Sequence, residues 1–192
     1  MNNIKKVIDG EIIALLPVYI KGKGNSTKVI LNKSDDLIIN SKLRRVLKNV
    51  SGYFALDLRA LKREYGDVIN SKNLIPIPLN CKDVLIPVKS RIPIAKNDGS
   101  IGYFNIRYID DVIKKEDIYI KLKNERLIKV INNESTIKKH INEGKIVRQV
   151  YNERMNNIKE DKYFNYRIDK SPATKEDIAI IIKELMELKH KL

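Results

Sequence analysis

The side chains that most often carry metal or nucleophilic chemistry are scarce in this chain. It has two histidines, His140 and His190, and a single cysteine, Cys81. Zinc sites need cysteine and histidine ligands at short, regular spacings, and these three residues are far apart in the sequence. Cys81 lies in a proline-rich segment, and we interpret it as an ordinary buried thiol. The sequence therefore predicts no catalytic residue, no metal site and no cofactor.

Two further patterns have the residue types of a reactive site without its spacing. Residues 22–27 are rich in glycine, but they lack the spacing of a phosphate-binding loop and precede a predicted strand, where that loop requires a helix. We interpret them as a hairpin turn. Acidic pairs at 110–111 and 116–117 stand beside lysines, which is typical of solvated turns. We therefore expect that the chain is not an enzyme.

Positive charge is the strongest chemical signal in the sequence. The chain has 38 basic and 24 acidic residues, a formal net charge of +14, and such an excess concentrates polyanions around a protein. Lysine is favoured by the same AT-rich coding bias as the abundant asparagine and isoleucine. Arginine is less subject to that bias, and its planar fork matches phosphates and guanines. Four arginines cluster between residues 44 and 63, which points to a nucleic-acid partner.

Two predicted helices carry this cluster. In the first, apolar residues recur at helical spacing from Leu43 to Val50, and Ser41 is placed to cap the helix. In the second, they recur from Phe54 to Tyr65, and Gly66 is placed to end the helix. Basic residues occupy the other sides of the two helices: Arg44, Arg45 and Lys48 in the first, and Arg59, Lys62 and Arg63 in the second.

The remaining elements predict an α+β fold. Residues 4–40 predict a β-meander whose first hairpin turn is Asp9-Gly10. Four prolines between residues 74 and 94 predict loops or edge strands instead of central strands. Residues 101–109 predict a strand, and residues 118–131 predict a hairpin. The fold class is therefore an N-terminal β-meander, a central basic helix pair, further antiparallel strands and C-terminal helices.

The C-terminal part is predicted to be helical with one interruption. Residues 135–155 predict a helix that Gly144 breaks or kinks, residues 156–171 predict a polar linker, and a last amphipathic helix begins near Thr174. The longest apolar run, 12–20, contains Pro17 and is far shorter than the roughly 20 residues of a membrane span. We find no signal-peptide pattern and expect a cytoplasmic protein.

Several landmarks occur together in a fixed order along the chain. They are an opening strand ending in Leu-Pro (10–17), a Tyr-Phe pair between the helices (53–54), two proline-bearing apolar segments (75–79 and 84–90), a strand segment at 103–112, a hairpin at Asn124 and the run Arg-Gln-Val-Tyr (148–151). In this order they resemble the competence transcription factor (ComK) family of bacteria, over about residues 7–155.

The chain departs from the family pattern at several positions. Residues 55–61 replace a glycine- and serine-rich segment, Ile86-Pro87-Val88 replaces Phe-Pro-Thr, and Tyr103 stands where the family has tryptophan. The tail beyond Met155 does not match the family's apolar stretch that engages an adaptor for proteolysis. Adaptor-controlled turnover is therefore not implied for this chain.

The resemblance implies a transcriptional activator of DNA-uptake (competence) genes. Such a protein binds AT-rich promoter DNA as a double strand, largely through the minor groove, as a homo-oligomer. Arginines gain from the enhanced negative potential of a narrow AT minor groove. The resemblance also implies a cytoplasmic, nucleoid-associated location and leaves a contact with RNA polymerase open. It divides the chain into a DNA-binding domain, 1–155, and a polar linker with a C-terminal amphipathic helix, 156–192.

The expected DNA contacts form two sets, one on the helix pair and one in the proline-rich segment. The helix set is Arg44, Arg45, Lys48, Arg59, Lys62 and Arg63, and the second set is Lys89 and Arg91. The hypothesis requires that the helix set share a face and have no carboxylate partners. Two other functions stay open from the sequence: an RNA-binding or ribosome-associated basic protein, and a protein-interaction module with a basic surface.

Overall fold

The structure is a computed structural model that describes residues 2–95, 98–170 and 174–189. The chain divides into two compact units, Met1–Asn152 and Glu153–Leu192. The fold is mixed α+β, as the sequence predicts, with antiparallel sheets, central helices and a helical C-terminal region. No described helix is both long enough and apolar enough to cross a membrane.

The helices are α1 (Asn2–Asp9), α2 (Leu43–Tyr53), α3 (Leu58–Val68), α4 (Glu134–Lys170) and α5 (Lys175–Lys189). The strands are β1 (Ile12–Ile20), β2 (Gly24–Leu31), β3 (Leu37–Ile39), β4 (Ile77–Pro78), β5 (Val84–Lys89), β6 (Ile101–Asn105), β7 (Ile109–Lys114), β8 (Ile118–Leu122) and β9 (Leu127–Val130).

The first predicted strand is instead the helix α1. Val7 is fully buried, and Ile4 and Ile8 pack against the same core, which is the i, i+3, i+4 spacing of a helix face. The N–H of Gly10 donates to the carbonyl of Lys6, so the predicted hairpin turn at Asp9-Gly10 is the end of a helix. Glu11, at a φ of 56°, then turns the chain into β1.

The predicted meander holds for the next three strands. β1 pairs with β2 and β2 with β3, both antiparallel, and the glycine-rich segment is a turn with Gly22 and Gly24 at positive φ. The six-stranded sheet has the order β3-β2-β1-β6-β5-β4. The expectation that the proline-rich segment lies at an edge is therefore wrong for β5, which lies between β6 and β4.

The prolines of these strands lie where only one neighbour pairs. β4 covers only Val84 and Leu85 of β5, so Pro87 is paired on the β6 side alone. Pro17 lies in β1 beyond the two residues that pair with β6. A strand can accept proline at such positions because no strand on the unpaired side needs a hydrogen bond from the missing N–H.

The six-stranded sheet separates two cores. On one face, Leu15, Val29 and Leu85 pack with the apolar faces of α1, α2 and α3. On the other face, Ile30, Ile86 and Phe104 pack against a second sheet of order β7-β8-β9. The first unit therefore has a helical layer, a central sheet and a smaller sheet on the far side.

The predicted strand over residues 101–109 is interrupted, whereas the hairpin after it is confirmed. A 3₁₀ helix, Ile106–Tyr108, separates β6 from β7, and the side chain of Asn105 accepts the N–H of Arg107 at its start. This turn carries the chain from the central sheet to the smaller one. β8 and β9 form the predicted hairpin, with Glu125 at a φ of 63° in its turn.

The predicted break at Gly144 is wrong, and the predicted linker at 156–171 is wrong over its described residues, 156–170. α4 continues through Gly144 and runs to Lys170. Residues 145–170 contain neither glycine nor proline, so their polar composition does not interrupt the backbone pattern of a helix. The last predicted helix is confirmed as α5.

Candidate nucleic-acid interface

The helix α2 presents basic side chains opposite its buried face. Its core side carries apolar residues at helical spacing, all of them buried: Leu43, Val46, Leu47 and Val50. Arg44, Arg45 and Lys48 lie on the remaining circumference and are exposed. Among the described residues, no carboxylate forms an ion pair with any of these three. Within the described part of the chain, no carboxylate offsets their charge.

The N-terminus of α2 has no side-chain cap, which corrects the expectation for Ser41. The N-cap residue is Lys42, and the first turn contains no acidic residue. The carbonyl of Ser41 instead accepts the hydroxyl of Thr27 at 2.8 Å, which ties this residue to β2. The amides of Leu43 and Arg44 have no described acceptor, so the positive end of the helix dipole stays uncompensated.

The helix α3 presents the other basic residues of the helix set. Asp57 caps it by accepting the N–H of Arg59 at 2.7 Å and of Ala60 at 3.3 Å. These two bonds are the main reason why the pKa of Asp57 is lowered, and the charges of Arg59 and Arg63 lower it further. Both arginines are exposed, and neither forms an ion pair with a described carboxylate. Lys62 is exposed and donates to the side chain of Asn73 at 3.2 Å.

The connection between α2 and α3 holds both helices on one core. The predicted second helix begins at Leu58 and not at Phe54, because Ala55 takes a positive φ of 55° and Asp57 starts a new helix. Leu61 and Tyr65 of α3 join the same buried cluster as the apolar face of α2. The basic side chains of both helices therefore lie on the solvent side of the helical layer.

The second set has a different environment. Arg91 is partly buried, and its guanidinium donates to the carbonyl of Gly99 at 2.7 Å and to Asn25 Oδ1 at 2.5 Å. The remaining nitrogen, Nη1, is buried and has no described partner. Lys89 is held through its backbone, whose N–H donates to Asn132 Oδ1 and whose carbonyl accepts the N–H of Ile131. Arg91 thus braces the chain around Gly99 in addition to carrying charge.

One cavity brings a residue of each set together. It has a volume of about 530 Å³, and Arg44 and Arg91 both line it, together with Lys42. Asp98 is the acidic residue in its wall, and its pKa is lowered by hydrogen bonds from Asn25 and from the Ala95 N–H, then by the charges of Arg91 and Lys42. The sequence pattern does not predict this cavity, because its walls come from segments far apart in the chain.

A polar cluster beside the first core is likewise not predicted by the sequence pattern. Glu11 accepts hydrogen bonds from the Tyr108 hydroxyl at 2.5 Å and from Asn32 Nδ2 at 3.0 Å, and it forms an ion pair with Lys33 at 2.7 Å. Arg107 lies over the ring of Tyr108, 5.2 Å from its centroid. Every member has a partner, which is typical of a structural network.

Of the two histidines and the single cysteine, His190 lies outside the described residues. Cys81 is exposed, not buried as expected, because it lies in the turn between β4 and β5. His140 Nδ1 lies 2.9 Å from Glu143 Oε2, one turn away on α4. In the described part of the chain, no group of three or more acidic, histidine or cysteine side chains could hold a metal ion.

The chain matches no protein-family model, and comparisons with curated proteins and with solved structures find no match either.

Proposed function

We propose that this chain binds double-stranded DNA through the basic side chains of α2 and α3 and regulates transcription. The observation that carries the proposal is the set of six basic side chains on the solvent side of the helical layer. All six are exposed, and none forms an ion pair with a described carboxylate. Phosphate neutralisation by such side chains releases counterions and drives DNA binding.

The type of DNA and the biological role in this proposal come from the resemblance to the ComK family. AT-rich promoter DNA has a narrow minor groove of enhanced negative potential, which favours inserted arginines. Arg44 and Arg45 are adjacent on α2, and Arg59 and Arg63 are one turn apart on α3. Activation of DNA-uptake genes, homo-oligomerisation and placement at the nucleoid belong to the same proposal. Sedimentation analysis of the full chain checks the oligomer.

Two double variants test the interface. Arg45→Ala/Lys48→Ala removes charge from α2, and Arg59→Ala/Arg63→Ala removes it from α3. We expect each to weaken binding of an AT-rich duplex by roughly tenfold for every phosphate that is no longer neutralised, at about 0.1 M salt. The slope of log K against log salt concentration should become shallower by about 0.9 for each such phosphate. Fluorescence anisotropy of a labelled duplex measures both quantities.

The matched control is Lys114→Ala/Lys115→Ala, which removes two exposed charges from the smaller sheet. It should leave affinity and salt slope near those of the wild type. If the control weakens binding as much as the helix variants, net charge alone explains the affinity and the helix interface is wrong. Equal competition by structured RNA would favour an RNA-binding or ribosome-associated protein. Complete displacement by heparin without sequence preference would favour a protein-interaction module.

A further inference from the structure

The cavity at the N-terminus of α2 is built like a site for a small anion. Three basic residues, Lys42, Arg44 and Arg91, and one acidic residue, Asp98, line it. The described lining residues therefore carry a net charge of plus two, which would balance the charge of a phosphate monoester dianion. Clefts of about 300–1,000 Å³ accept small organic ligands, and this cavity of about 530 Å³ lies in that range.

The guanidinium of Arg91 is held in place without being neutralised. Its Nε and Nη2 donate to a backbone carbonyl and to an amide oxygen, both uncharged acceptors. Its Nη1 is buried and has no described partner, and a buried donor without an acceptor is costly. The charge of Arg91 thus lacks a hydrogen-bonded counterion among the described residues, although Asp98 acts on it from the same wall.

Two backbone amides belong to residues that line the same cavity. Leu43 and Arg44 are the first two residues of α2, and both line the cavity. Their amides have no described acceptor, and neither a capping side chain nor an acidic residue offsets the dipole of the first turn. Free amides at the start of a helix favour a phosphate or another oxyanion.

Part of the cavity lining is apolar. Pro17, Leu47, Ile101 and Tyr103 contribute to it, and Tyr103 is mostly buried, which raises the pKa of its hydroxyl. A lining with both apolar and charged residues suits a phosphate that is attached to an organic group better than it suits a free hydrated ion.

We propose that this cavity binds a phosphate group. The phosphate could come from a small phosphorylated compound or from the DNA backbone, and the chemistry of recognition is the same for both. The site does not depend on the proposed DNA binding, because a small phosphorylated compound would occupy the same cavity if the chain bound no DNA.

An NMR titration of the full chain tests the site, with adenosine monophosphate and inorganic phosphate as separate probes. We expect the amide resonances of Leu43 and Arg44 and the Nε resonance of Arg91 to shift first. Lys42→Ala removes one charge at an exposed position, and it should weaken monophosphate binding by about tenfold. Arg91→Lys keeps the charge but loses the fork, and it should weaken binding similarly.

The matched control is Lys114→Ala, which removes one exposed charge at a residue outside the cavity lining. It should bind the monophosphate as the wild type does. Equal affinities for all three variants, or absence of shifts at Leu43 and Arg44, would overturn the proposal.

A short AT-rich duplex serves as the last probe and separates the two sources of phosphate. If the duplex shifts the same amides and competes with the monophosphate, the DNA backbone occupies the cavity. If the two bind together, the cavity takes a separate phosphorylated compound, and either result supports the site. A chain that binds the monophosphate but not the duplex would refute the DNA-binding proposal and leave the phosphate site standing.

Discussion

The ionisation state of the Glu11 carboxylate is fixed by residues that are far from it in the sequence. The ion pair with Lys33 is the main cause of the lowered pKa of Glu11, and hydrogen bonds from Tyr108 and Asn32 add to it, which brings the pKa from 4.5 to about 2. Burial, followed by the bond to Glu11, raises the pKa of Tyr108 to about 12. Across the neutral pH range, the Glu11 carboxylate therefore stays ionised and accepts the hydrogen bond, and the Tyr108 hydroxyl stays protonated and donates it.

The lowered pKa of Glu11 predicts a stability loss in acid. Between about pH 4.5 and pH 2 the unfolded chain takes up a proton at Glu11 while the folded chain keeps the carboxylate, so the contribution of Glu11 is full above this range and falls with pH. Urea unfolding of the wild type and of Glu11→Gln measures it at pH 7 and pH 3. We expect the free energy of unfolding of the variant to be lower at pH 7 by about 1–3 kcal/mol. The difference between the two proteins should be smaller at pH 3. A gap that is independent of pH would contradict the assignment.

The sequence predicted site residues where helical spacing alone decides exposure. Arg44, Arg45 and Lys48 are outside because Leu43 and Val46 must be inside, and that argument needs no tertiary information. Arg91 could not be assigned in this way, since its partners Asn25 and Gly99 lie on other segments. The position of Lys42 in the cavity wall is not predicted for the same reason.

At the scale of elements, Gly144 is a packing residue and not a helix breaker. A Cβ atom at this position would lie 2.6 Å from Ile86 Cγ2 and 3.1 Å from Ile106 Cγ2. Ile86 is fully buried in the central sheet, so it has no room to move away. The glycine therefore allows α4 to approach β5 closely.

Gly144→Ala sets two known effects against each other. Alanine is the better helix former by about 1 kcal/mol, but overpacking a core costs about 1–3 kcal/mol. Because the contact would be with a fully buried side chain, we expect net destabilisation of about 1–2 kcal/mol in urea unfolding. Asn142→Ala, at an exposed position of the same helix, is the control and should be neutral or slightly stabilising. If Gly144→Ala is as stable as this control, the side chains around Gly144 can move to accept a methyl group, and the packing argument is wrong.

Periodicity predicted most elements, and its failures have physical causes. α2, α3, α5 and the β8–β9 hairpin follow from spacing and turn residues. The sequence predicts a strand in place of α1 because three apolar residues, Ile4, Val7 and Ile8, are too few to distinguish the spacing of a helix from that of a strand. The prediction of a linker fails because polar side chains indicate exposure to solvent and not the absence of a helix. Residues 145–170 contain no helix-breaking residue.

At the scale of the whole first unit, one ion pair joins the two sheets. Arg126, in the β8–β9 turn, donates to both carboxylate oxygens of Asp36, at 2.9 and 2.6 Å. Lys28 of β2 lies 3.2 Å from the same carboxylate. The bond from Arg126 is the main cause of the lowered pKa of Asp36. This clamp ties the smaller sheet to the loop between β2 and β3.

Breaking the clamp should weaken the docking of the smaller sheet. Arg126→Lys keeps the charge but loses the two-pronged bond, and we expect a loss of about 1 kcal/mol, since both side chains are partly exposed. Hydrogen exchange should rise at β8 and β9 before it rises in β1. Lys138→Ala, which breaks an exposed pair with Glu134 within one helix, is the control and should leave exchange in β8 and β9 unchanged.

The two outer strands of the central sheet are short: β3 has three residues and β4 has two. Long bare edges offer a template on which another chain can add a strand and start an aggregate. Molecules crowded along the same stretch of a polyanion would meet such edges often. The edge strands of this fold have only two and three residues, so they offer a neighbouring copy few backbone groups with which to pair. Close packing of copies is therefore compatible with the absence of fibre formation.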